Sequence, residues 1–125
     1  MIHTGAHILL VDDHPKAVEV FELRLKSLGH RTTVAHNGEV AIGIVERDRP
    51  DLVVLDITMP EMNGYQACRA IKRIDPKIAV IMLTAKTEAA DRFWATQSGA
   101  DEFLNKPIDP AALVQRIEAH LSNSP

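Results

Sequence analysis

Three continuous apolar runs punctuate the chain: Ile8 to Val11, Leu52 to Leu55 and Ile78 to Leu83. None alternates apolar with polar residues, so each predicts a strand buried on both faces. Two weaker segments predict further strands. Arg31 to Ala35 is β-branched but more polar, which places it at a sheet edge. Glu102 to Asn105 is short and ends at Lys106-Pro107. The stretches between these runs repeat their apolar residues at spacings of three and four, the period of helices with one buried stripe.

Helix one opens at Pro15, a residue suited to a first turn. Its expected stripe is Ala17, Val20, Phe21, Leu25 and Leu28, with Arg24 at the margin, and Gly29 closes it as a cap. Helix two starts after Asn37-Gly38, carries Ala41, Ile44 and Val45 inward, and ends by Pro50. Helix three runs from about Tyr65 to Ile74 with Ala67, Cys68 and Ile71 inward, and Asp75-Pro76 stops it. Helix four spans roughly Glu88 to Ser98 and is followed by Gly99. Helix five begins at Asp109-Pro110, an N-cap followed by proline, and carries Leu113, Val114, Ile117 and Leu121. Ser122 to Pro125 reads as a frayed tail. Five strands alternating with five helices make an α/β fold of βαβ units, with a parallel sheet and helices on both faces. No linker or repeat interrupts the alternation, so residues 1–125 are expected to form one domain, with its core at about 6–121.

Composition changes this picture little. A net charge of −3 and a pI near 6.0 give no electrostatic support for nucleic-acid binding. One cysteine, Cys68, cannot form an internal disulfide, which fits a reducing compartment. The amino end lacks the basic and apolar regions of a signal peptide, and no apolar stretch reaches the length of a membrane span. A cytoplasmic protein is expected.

The chemistry gathers where the strands stop. Strand one ends in Asp12-Asp13, strand three in Asp56, strand four in Thr84 and strand five in Lys106. In a parallel sheet these ends share one edge, the edge where open α/β sheets collect ligands. Three carboxylates there repel one another, and a divalent cation reverses that. Oxygen donors without a Cys/His set favour Mg²⁺, with Mn²⁺ as the alternative. Lys106 offers a cation and Thr84 a hydroxyl to a phosphoryl guest. Asp56 stands alone on the central strand, which makes it the candidate nucleophile for an aspartyl phosphate. Each residue has a plainer reading: a helix cap for Asp12-Asp13, a turn residue for Thr84, a surface lysine for Lys106. Their joint occurrence at the ends of successive strands argues against all the plain readings together. The six histidines show no ligand spacing, and His14 reads as a surface residue rather than a metal ligand. Cys68 reads as core. Trp94 is divided between a partner surface and the rim of the core.

V-D-D at 11–13, L-D-I-T-M-P-E-M-N-G at 55–64, L-T-A at 83–85 and K-P at 106–107 resemble the receiver domain of two-component response regulators. The likeness covers about Ala6 to Leu121. It implies a flavodoxin-like fold with strand order 2-1-3-4-5, a common order of doubly wound sheets. It implies that Asp56 is the phosphoacceptor, that Asp12, Asp13 and Asp56 hold Mg²⁺, and that the backbone carbonyl of Thr58 completes the metal site. It implies a switch hydroxyl at Thr84, a phosphate contact at Lys106, an aromatic switch at Phe103 and a cis bond between Lys106 and Pro107. Thr58 and Lys86 stand where the family varies, and Phe103 lacks the hydroxyl of the commoner tyrosine. Residues 91–107 are also similar to single-domain regulators of twitching motility, a relative of the chemotaxis type.

The resemblance implies a phosphorylated binding module and not an enzyme on other substrates, although it would lose its own phosphate by hydrolysis. Its partners would be a sensor histidine kinase or phosphotransfer protein, and a downstream protein on the face of helix four, strand five and helix five. Neither nucleic acid nor membrane is expected to bind directly, and a monomer or weak dimer is expected. The chain is either a whole regulator or a receiver cut from a longer one with a DNA-binding or enzymatic output. Two other classes compete. An aspartyl-phosphate phosphohydrolase wants an Asp where Thr58 stands. A flavodoxin-like flavin binder wants a small-residue phosphate loop where Asp12-Asp13-His14-Pro15 stands.

Overall fold

Every strand of the sheet begins on the same edge and ends on the opposite one. In the computed structural model, which describes residues 5–56, 64–84 and 97–122, the strands are β1 His7–Val11, β2 Arg31–Ala35, β3 Leu52–Asp56, β4 Ala79–Thr84 and β5 Glu102–Asn105. All pairings are parallel and the order is β2-β1-β3-β4-β5. The apolar runs of β1 and β3 are buried along their whole length. The polar β2 takes one edge, and the short β5 takes the other. β4 lies one residue later than its apolar run: Ile78 donates its amide to Asp75 in the preceding turn.

The helices are α1 Pro15–Ser27, α2 Gly38–Asp48, α3 Gly64–Ile74 and a last helix, Pro110–Ser122. The expected fourth helix falls almost wholly outside the described residues, as do Thr58, Lys86, Trp94 and the tail beyond Ser122. Among the described residues no helix is long and apolar enough to cross a membrane. The ends obey local chemistry. Asn37 accepts the amide of Val40 at 2.9 Å, and Asp109 accepts the amide of Ala111 at 2.9 Å, so both are N-caps. α1 closes in a Schellman motif: Gly29, at φ +89°, donates to Lys26, and His30 donates to Leu25.

The sheet divides the core in two. On one face Leu9, Val11, Val53, Leu55, Val80 and Met82 pack with α2 and α3 through Ala41, Ile44, Val45, Ala67, Cys68 and Ile71. On the other, Ile8, Leu10, Leu52, Val54, Ile81 and Leu83 pack with α1 and the last helix through Val18, Leu25, Leu113, Val114, Ile117 and Leu121. The buried stripe of α1 is Val18 and Leu25, with Phe21 and Leu28 partly buried. Val20 is 49% exposed and Ala17 is exposed as well, contrary to expectation; Arg24 is exposed beyond the stripe. Apolar residues at 17, 18, 20, 21, 23 and 25 encircle most of this helix, so periodicity alone permits two registers. Docking on the sheet selects the one containing Val18.

At the amino edge, the carboxylate of Asp101 accepts both the amide of Val80 at 2.8 Å and Lys72 Nζ at 2.7 Å. Its own amide donates to Val80 at 2.9 Å. Lys72 also donates to the carbonyl of Ile78 at 2.7 Å. The start of β5, the start of β4 and the end of α3 are thereby joined.

Candidate functional site

The carboxyl edge is set by the chain's own ladder. β1 carries the chain to Asp12, whose amide donates to Ala35 at 3.0 Å. β3 delivers Asp56 with only 1% of its surface exposed. β4 ends at Thr84, 5% exposed, and Thr84 accepts the amide of Lys106 at 2.7 Å. That bond pulls the start of the loop after β5 against the end of β4. The Lys106-Pro107 peptide is cis, as expected. Residues from four parts of the sequence therefore meet at one edge because each strand ends there.

Lys106 Nζ donates to Asp56 Oδ2 at 2.5 Å. A buried carboxylate needs such a partner, since an isolated buried charge is costly. Asp12 is 6% exposed, and its Oδ1 accepts the amide of His14 at 2.8 Å. The plain reading of Asp12 is thus partly met: its carboxylate ties the chain as it turns into α1. Asp13 is different. Its Oδ1 is buried and has no hydrogen-bond partner among the described residues. His14 Nδ1 lies 2.8 Å from it as an ion pair when the ring is protonated.

One oxygen from each of Asp12, Asp13 and Asp56 lies, with a nitrogen of His14, within 4.8 Å of all the others. Among the described residues three carboxylates face one ammonium, Lys106, which leaves a formal excess of two negative charges. A hard dication fits both that excess and the orphaned Asp13 oxygen. The fourth expected ligand, the carbonyl of Thr58, lies outside the described residues. A cavity of about 500 Å³ opens beside the cluster between α1 and the loop after β5. Asp12, His14 and Lys106 stand on its wall, with Ala17, Phe21, Leu83, Pro107 and Ile108.

Thr84 and Phe103 share a face of the sheet. The register pairs Met82 with Phe103 and Thr84 with Asn105, and alternate residues of a strand point the same way. Phe103 is partly buried against the core of α2 and α3, the core to which Met82 belongs. Cys68 is fully buried, as expected, and burial pushes its thiol pKa up. Sequence reasoning missed two features. His14 is a surface residue as expected, its side chain 68% exposed, but the contact of its ring nitrogen with both acidic neighbours was not foreseen; its adjacency to Asp12-Asp13 at a strand end was the available signal. His30 lies fully buried with Nε2 2.7 Å from Glu118 Oε1, a pairing across 88 positions that no local spacing announces.

Comparison with known proteins agrees with this layout. Residues 8–118 match the family described as response regulator receiver domain. The chain is 42% identical over 114 residues to the DNA-binding response regulator MtrA of Mycolicibacterium smegmatis, covering 91% of this chain and 50% of MtrA. It is 40% identical over 124 residues to the transcriptional regulatory protein GlrR of Escherichia coli, covering 99% of this chain and 28% of GlrR. The chain thus spans half or less of the length of these relatives. A CheY-like receiver domain protein from Methanospirillum hungatei superposes with a TM-score of 0.92 at 23% identity, covering 97% of both chains, a likeness of fold. This chain belongs to the receiver-domain family of two-component response regulators.

Proposed function

We propose that Asp56 accepts a phosphoryl group from a phosphohistidine donor, a sensor histidine kinase or phosphotransfer protein. The observation that carries this reading is the buried Asp56 carboxylate, paired with Lys106 and set among two further carboxylates. An Asp56 oxygen forms the new bond to phosphorus as the bond to the donor's imidazole nitrogen breaks, and the pair of electrons leaves with the imidazole. Lys106 stays close enough to balance charge gathering on the phosphoryl oxygens. The Thr84 hydroxyl, at the end of the neighbouring strand, is the second donor toward that group. The cavity beside the cluster gives a donor side chain a way in.

Asp12, Asp13 and Asp56, with the carbonyl of Thr58, would hold Mg²⁺. When bound, the cation screens the carboxylates and polarises the phosphoryl oxygens. The same residues would admit water to the aspartyl phosphate later, so the protein would act as an enzyme only on itself. Phosphorylation would then alter the face formed by the fourth helix, β5 and the last helix, where a downstream protein binds. We read residues 1–125 as one domain working in the cytoplasm, monomeric or weakly dimeric. A second reading, a receiver within a longer regulator, is favoured by the greater length of MtrA and GlrR. Those relatives are named for DNA binding or transcription, so they lend no support to the twitching-motility likeness of residues 91–107.

Intact-mass measurement after incubation with Mg²⁺ and acetyl phosphate tests the assignment. Wild type gains one phosphoryl group and Asp56→Asn gains none. Equal labelling of the variant would overturn the choice of Asp56.

A further inference from the structure

The side chain of His14 is 68% exposed, yet its Nδ1 is hydrogen-bonded to Asp12 Oδ1 at 3.1 Å and lies 2.8 Å from Asp13 Oδ1. The backbone holds it there. His14 precedes the first turn of α1 in an extended conformation, and its amide is anchored on Asp12 Oδ1 at 2.8 Å. The ring is thus set over the acidic pair by the same turn that starts the helix.

The spacing of these atoms is informative. A six-coordinate cation with bonds of about 2.1 Å sets adjacent donors about 3.0 Å apart and opposite donors about 4.2 Å apart. Both His14 separations have the adjacent-donor size, and the group including Asp56 falls within 4.8 Å. Asp13 Oδ1 is the informative atom. It is buried and takes part in no hydrogen bond among the described residues, although the imidazole nitrogen is 2.8 Å away. Without an ion these separations serve a hydrogen bond to Asp12 and an ion pair to Asp13; the same placement lets nitrogen and oxygen become two ligands of one ion that displaces those contacts.

We propose that His14 Nδ1 is a further ligand of the cation bound by Asp13 and Asp56, making this a mixed nitrogen–oxygen site that favours Mn²⁺ or Co²⁺ over Mg²⁺. Mg²⁺ prefers oxygen ligands and gives up water reluctantly, whereas imidazole suits transition ions. His14 thereby becomes a specificity-determining residue for the metal. The inference rests on the cation site proposed above.

Calorimetry of the whole protein with Mg²⁺ and, separately, with Mn²⁺ tests it, together with pulsed EPR of the Mn²⁺ form. Oxygen-only sites also rank these ions, so the informative quantity is the change caused by removing the ring nitrogen. In His14→Ala, and in His14→Phe, which keeps a ring without a donor, Mn²⁺ affinity falls on the order of tenfold while Mg²⁺ affinity changes by less than about twofold. The wild-type Mn²⁺ spectrum carries a nitrogen coupling that both variants and Asp13→Asn lose. If both His14 variants retain the wild-type ratio of affinities, or the wild type shows no nitrogen coupling, His14 is not a ligand, even with the oxygen site intact. If Asp13→Asn binds both ions as the wild type does, the cation site itself is wrong, and the inference falls with it.

Discussion

Lys106 reaches Asp56 past the end of an intervening strand: its Nζ lies 2.5 Å from Asp56 Oδ2, although β4 separates β5 from β3. The ammonium is partly exposed while the carboxylate is buried. Removing the lysine therefore strips a buried charge of a partner rather than opening a surface pair. We expect Lys106→Ala to destabilise the Mg²⁺-free protein by about 1–3 kcal/mol, the cost of a weakened buried hydrogen bond to a charge. If the proposed site binds Mg²⁺ in the native state alone, saturating Mg²⁺ is expected to restore part of this, about 2.7 kcal/mol at a hundred times its Kd. Urea unfolding with chelator and with Mg²⁺ measures both effects. Identical midpoints for variant and wild type in chelator would contradict the pairing.

Thr84 and Phe103 point from adjacent strands into one face of the sheet. Phosphorylation adds about −1.5 to −2 charges and new acceptor oxygens. Under the proposed function, movement of the Thr84 hydroxyl toward those oxygens would open space for the Phe103 ring to fill. We expect this as a shift between two packings, driven only as far as the phosphate bonds one better. NMR of the Thr84 methyl and Phe103 ring signals, with beryllofluoride and Mg²⁺, is expected to show both move together. In Thr84→Ala the Phe103 signals are expected to stay near their unliganded positions. Unmoved signals in the wild type refute the coupling.

His7 is buried at the start of β1, its Nε2 2.7 Å from Thr33 Oγ1. Burial holds its pKa below the ordinary value of 6.5, aided by Arg31 and opposed by Asp48 and Asp51. The unfolded chain then binds this proton more readily than the folded one, so stability is intact above about 6.5 and falls as the pH drops below it. His7→Gln is expected to flatten the loss of stability as the pH falls below about 6.5. Urea midpoints across that range, wild type against variant, isolate this histidine. Parallel profiles would show that it stays neutral in neither state more than the other.

Val18 and Val20 separate the two registers of α1. Val18→Ala removes two buried methyl groups and is expected to cost about 2 kcal/mol. Val20→Ala, at a half-exposed position, is expected to stay within about 0.5 kcal/mol of wild type. Equal losses would mean that the helix face is rotated from the one described.

The contrast in α1 shows where sequence reading stops. Continuous apolar runs marked β1 and β3 as buried, and the polar β-branched segment marked β2 as an edge, because burial on two faces, or on one, leaves a direct imprint on composition. The strand order left no such imprint and came only from the family resemblance. In α1 the apolar residues surround most of the helix, so its buried face depended on the sheet beneath it. Asp12, Asp56, Thr84 and Lys106 were legible as a group because strand ends are legible. The contact of His14 with Asp12 and Asp13 was not, because it depends on the direction of the ring, which a turn sets and a spacing rule does not record. The buried pair His30 and Glu118 joins residues whose nearness follows from the packing of α1 with the last helix alone.

The Asp101 junction has a mechanical consequence. It fixes the start of β5 to β4 and, through Lys72, to the end of α3, at the edge of the sheet opposite Asp56. We therefore expect the amino ends of β4 and β5 to stay in place when Thr84 and Phe103 are displaced. At the other end, the Lys106 amide on the Thr84 carbonyl couples β5 to β4 beside the carboxylates, so we expect the two strand ends to shift as a pair.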